Sequence, residues 1–180
     1  MIDTITADNK GIIQRLYKEI LVEWNMSLVD EFVAPEFTSH DWPEGSPTGP
    51  EAFQNYYSTI IRSVLPDAHY EVDDLIAEAD KVVVRWRLLG THKGSFHNIA
   101  PTGKGITLRG IAIYRLEDHK LAERWVVTDL HGLLEEIRGS GSGNSNLENS
   151  LENFHQIPMP SDKAERQSTF LMNKMAYHAI

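Results

Sequence analysis

The sequence predicts an α+β domain in which helices cover one face of a curved, largely antiparallel sheet. Two observations predict it. Up to Leu65 the apolar residues recur every three or four positions, whereas from His69 to Thr128 the period is near two and β-branched residues dominate. Helices followed by a meander of strands bury their apolar faces against each other, so the space between them becomes core or pocket.

The first helix is expected over 8–25, with Ile13, Leu16, Tyr17, Ile20 and Trp24 on one stripe. Ser27 and Asp30 form a weak capping pair for a short helix that Pro35 ends, and Glu36 to His40 reads as extended. Thr48, Pro50 and Glu51 then open a helix to about Leu65, with Phe53, Tyr56, Tyr57 and Ile60 on its buried side. Strands are predicted over 69–78, 81–92, 106–116 and 121–128. The turns at Ala79–Asp80 and 117–119 are tight, while 94–105 is too polar and glycine-rich for a strand centre and becomes a long connection able to rim a pocket.

At 180 residues the chain suits one domain. Residues 1–137 carry it, 138–146 read as a Gly/Ser-rich linker, and 147–180 as a tail that is mobile or docks on a neighbour. A net charge of −9 argues against a nucleic-acid partner. No apolar run reaches about 18 residues and no leader pattern opens the chain, so neither a membrane partner nor secretion is expected. With no cysteine there is neither disulfide nor thiolate ligand, and the expected compartment is the cytoplasm. No histidine pair has metal-ligand spacing and no phosphate loop is present, so no metal and no cofactor are expected.

Several residues are candidates for chemistry. Asp129 shares strand parity with Trp125 and Val127, which would desolvate it into a general base if that face lined the pocket; equally, it can cap the helix that follows. Arg109 could hold a substrate oxyanion, or point outward into a subunit interface. His40, beside Asp41 and Trp42, precedes a Pro/Gly-rich loop and is either a proton-exchanging group at a pocket mouth or an ordinary loop histidine. Phe53, Tyr57, Trp86, Phe96, Tyr114 and Trp125 are the aromatic residues able to line a cavity, with Trp42, His92, Ala112 and Val126 as further lining candidates. Aromatic residues at these spacings more often belong to a packed core, and a pocket requires that some of them are left unpacked.

The run Gly90-Thr91-His92-Lys93-Gly94, the turn Ala100-Pro101-Thr102-Gly103, Arg109-Gly110, Tyr114-Arg115, and the stretch from Lys120 through Trp125 and Asp129 to Leu134 resemble the SnoaL-like polyketide (ester) cyclases of the nuclear transport factor 2-like superfamily. The resemblance covers roughly 9–137. It implies a cone of three helices on a curved mixed sheet, a homodimer through the outer sheet face, and cofactor-free, metal-free acid/base catalysis of an intramolecular aldol closure on a polyketide ester, a small hydrophobic carbonyl substrate. The family's proton-transferring histidine and aspartate fall on Ala112 and Val126 in an ungapped alignment. Two functions therefore stand open: a cyclase or isomerase, or a non-catalytic module for an apolar ligand or subunit assembly. Ile111 and Ile113, opposite in parity to Gly110 and Ala112, would be left bare on the outer face without a partner subunit.

Overall fold

The structure, a computed structural model, describes residues 4–139; the expected tail and all but the first two residues of the expected linker lie outside them. The first helix, α1 (Thr4–Arg15), runs on without a break into wider π-type turns over Leu16–Val22. Its stripe Ile13, Leu16, Tyr17, Ile20 and Leu21 is buried as the spacing demanded. The helix stops before Asn25 because Trp24 takes a left-handed conformation (φ 56°), which lets its indole donate to Ala68 O at 3.2 Å beneath the Arg62 guanidinium. After a short 3₁₀ turn at Met26–Leu28, α2 (Val29–Phe32) leads directly into β1 (Val33–Ser39). β1 starts earlier than expected and includes Pro35, which is tolerated because β1 is an edge strand whose register shifts between Val33 and Thr38.

The second long helix comprises α3 (Gly49–Asn55), π-type turns over Tyr56–Ile61, and α4 (Arg62–Val64). Four long strands follow: β2 (His69–Glu78), β3 (Lys81–Thr91), β4 (Gly105–Glu117) and β5 (Lys120–Thr128), closed by α5 (Leu130–Arg138). β2–β3 and β4–β5 are joined by two-residue turns. Asp118 and His119 both have positive φ, the conformation that matches the twist of paired strands.

The sheet order is β1-β5-β4-β3-β2, antiparallel except for the parallel pair β1–β5. One face carries Val82, Val84, Trp86 and Leu88 beside Ala112, Tyr114 and Leu116, all buried beneath the helices. The opposite face leaves Ile76, Ile111, Ile113 and Val127 exposed. No described helix is long and apolar enough to cross a membrane. The architecture is the nuclear transport factor 2-like α+β fold.

Candidate functional site

Between the inner sheet face and the helices lies an apolar cavity of about 90 Å³. Tyr17 enters from the first helix, and Tyr56, Tyr57, Ile60 and Val64 from the second. The sheet supplies Tyr70, Trp86, Leu88, Leu108, Tyr114 and Val126, with Thr128 leading to Leu130 and Leu133 of α5. Phe96 and His97 of the β3–β4 connection complete the wall. Gly110 is required here, since a Cβ on it would lie 2.4 Å from Cζ2 of the Trp86 ring.

The polar pole of this cavity is Arg124, which lines it with only 2% of its surface exposed. Strand register creates the pole. Tyr114 pairs with Arg124 across β4–β5, and Arg124 pairs with Ser39 across β5–β1, so three polar side chains meet in one row on the buried face. The guanidinium donates from Nε to Ser39 Oγ (2.8 Å), from Nη1 to Tyr57 Oη (2.7 Å) and from Nη2 to Asp41 Oδ2 (3.4 Å). Ser39 in turn donates to Asp41 Oδ1 at 2.5 Å. The rings of Trp42, Tyr56 and Tyr57 flank the cation at 5.2–5.7 Å. Burial opposes the charge, but the oxygens of Tyr57 and Asp41 outweigh it and the group stays protonated. Tyr17 and Tyr114 share a hydrogen bond of 2.9 Å. Desolvation pushes the hydroxyls of Tyr17, Tyr56, Tyr57, Tyr70 and Tyr114 above the usual tyrosine range.

Of the residues singled out from sequence, Tyr57, Trp86, Phe96, Tyr114 and Val126 line the cavity. Phe53 and Ala112 are buried in the packed core. Trp42 covers Arg124 from outside, its Nε1 buried and without a partner among the described residues. His92 is fully buried, its Nδ1 3.0 Å from Thr102 Oγ1, and does not line the cavity.

The three residues expected to catalyse stand elsewhere. Asp129 is exposed and caps α5, accepting from Gly132 N at 2.9 Å. His40 lies 2.6 Å from Glu123 Oε2 and stacks on Trp125 at 4.5 Å. Arg109 is exposed on the outer face, paired in register with Arg87. The physical reason is one of parity. Arg124, Val126 and Thr128 point inward, so Trp125, Val127 and Asp129 belong to the outer side. Arg124, Ser39, Tyr17 and Tyr70 were not anticipated. The available signal was the parity of Arg124 with Val126, an arginine on the apolar side of a strand.

The sequence profile of SnoaL-like polyketide cyclases matches residues 11–137. Among solved structures, a candidate polyketide cyclase from Acidithiobacillus ferrooxidans is 26% identical with a TM-score of 0.65, the match covering 77% of this chain and 100% of that one. One from Bacillus cereus is 27% identical with a TM-score of 0.60, covering 73% and 80%. A third, SnoaL-like, from Jannaschia sp. CCS1, shares the fold at 22% identity with a TM-score of 0.68, covering 78% and 99%. Curated proteins yield no match. Profile and architecture agree over nearly all the described residues, and the chain belongs to the SnoaL-like polyketide cyclase family.

Proposed function

We propose that the protein is a cofactor-independent cyclase or isomerase that enolises a small hydrophobic carbonyl compound in this cavity, with the carbonyl oxygen toward Arg124. The observation that carries the reading is the buried guanidinium in an otherwise apolar, aromatic wall. Removing a proton beside a carbonyl places negative charge on oxygen, and a fixed cation in a water-poor site is suited to that charge. Ser39, Tyr57 and Asp41 take three of the guanidinium's N–H donors, leaving others for a substrate oxygen. The cavity volume of about 90 Å³ suits a small compound, or the reacting end of a longer one.

Deuterium exchange at the activated methylene of ethyl benzoylacetate, followed by NMR above the buffer rate, tests the reading. Arg124→Met should lower the protein-dependent rate by about a hundredfold or more, the scale of one lost oxyanion donor. Tyr57→Phe, a gentler change, should lower it less. No exchange in the wild type would reject the enzyme.

A second reading, a binding module, is favoured by the apolar side chains at Ala112 and Val126, where the family's proton-transfer groups are expected. It requires a ligand-induced rise in melting temperature without turnover. Either reading accommodates a homodimer through the outer sheet face, where Ile76, Ile111 and Val127 are 65%, 48% and 72% exposed.

A further inference from the structure

From the placement of His97 we infer that it is the catalytic residue that takes the proton from the substrate carbon, opposite the oxygen-binding role of Arg124; this rests on the enzyme reading above. Proton abstraction needs an acceptor as well as an oxyanion site. The ionisable groups lining the cavity are Arg124, five tyrosines and His97. The guanidinium stays charged, and burial raises the tyrosine hydroxyls, so none of these accepts a proton near neutral pH.

His97 is held in place by its hairpin. Lys93 N and Gly94 N both donate to Val64 O, at 3.0 and 3.1 Å, and a Cβ on Gly94 would sit 1.9 Å from Ser63 O, so the connection is seated against the end of the second helix. Phe96 and Ile99 then exchange two backbone hydrogen bonds, 3.0 and 2.8 Å, around His97 and Asn98. Both turn residues have positive φ, 47° and 59°, as a tight two-residue turn requires. The imidazole meets the Phe96 ring edge-on at 4.5 Å and hydrogen-bonds to no described residue. In this it differs from the other candidate acids and bases. His40 is engaged by Glu123, His92 by Thr102, Asp41 by Ser39 and Arg124, and Asp129 by Gly132.

Burial, with a smaller contribution from Arg138 in the last turn of α5, holds the imidazole below its ordinary value. It is therefore neutral at pH 7 and able to accept a proton. In the step, the carbon–hydrogen bond beside the carbonyl breaks, its electron pair forms the enolate, and the proton passes to an imidazole nitrogen. In ring closure the enolate carbon attacks a second carbonyl, and the imidazolium returns the proton to the new alkoxide. Nothing is consumed.

The test compares wild type with His97→Asn, a residue that tolerates positive φ, and with His97→Gln, using the same exchange assay on ethyl benzoylacetate. Exchange should fall about a hundredfold, while the shift in melting temperature caused by the same compound persists. The wild-type rate should decline as pH drops below a midpoint lower than about 6.5, and that limb should vanish in both variants. Variants that exchange at the wild-type rate with the same limb overturn the assignment and leave the enzyme reading intact. A wild type that binds the compound but exchanges nothing overturns both.

Discussion

Arg124 shows what burying a charge demands of one residue. A guanidinium 2% exposed persists only with its charge partnered, and Ser39, Tyr57 and Asp41 accept three of its N–H donors. Asp41→Ala removes the only carboxylate among these and should destabilise the fold by about 3 kcal/mol, the lower end for a broken buried pair, as read from chemical denaturation. Asp41→Asn, which keeps an oxygen acceptor, should cost less. Gly110 makes a steric demand of the same sharpness, and Gly110→Ala should lower the melting temperature by displacing the Trp86 ring from the cavity wall. In the sequence, Arg124 is flanked by Glu123 and Trp125, and only its parity with Val126 hints at burial. Its partner Ser39 lies 85 residues away, and no local pattern links the two.

The elements were more legible than their contents. β2 spans the residues expected of it, and β3, β4 and β5 do so within a residue at either end, because alternation is a backbone-scale signal repeated many times. Helix ends were harder to place. Trp24 left the first helix to reach Ala68, a tertiary contact that propensity does not contain. The end of β5 illustrates a residue with two local meanings. Asp129 could serve a pocket or cap a helix, and in the folded chain it accepts from Gly132 N. Asp129→Ala should cost about 1 kcal/mol of stability, and Asp129→Asn only a fraction of that, because asparagine caps nearly as well. Thermal melts of the two variants check this.

For the molecule as a whole, two expectations concern assembly and pH. Ile111 and Val127 face each other across β4–β5 on the outer surface. In a homodimer formed through that face, Ile111→Asp combined with Val127→Asp should give monomers by sedimentation velocity, whereas a monomeric wild type would exclude the dimer. His92 and His97 are both held below the ordinary histidine value, chiefly by burial. The folded state thus resists a proton that the unfolded chain accepts near pH 6.5. Their contribution to stability is complete above that pH and is lost as pH falls through the lower folded values. Melting temperature should accordingly begin to drop just below pH 6.5, and His92→Asn should flatten that decline. Glu123 and Asp73, lowered by hydrogen bonds to His40 and Arg87 respectively, add a second decline only in the acid range below about pH 4.

From the sequence alone came the α+β class, the order and type of the elements, five of the cavity-lining residues and the bare apolar strip on the outer face. Apart from Val126, which the family resemblance pointed to, each of these rests on periodicity or composition, which are properties of neighbouring residues. The chemistry of the cavity was decided only by tertiary structure. A strand's alternation separates two faces without saying which one the helices will cover, and the choice made here turns Arg124 inward and Asp129 outward. Register then aligned Tyr114, Arg124 and Ser39, and the seating of the hairpin on Val64 brought His97 to the wall.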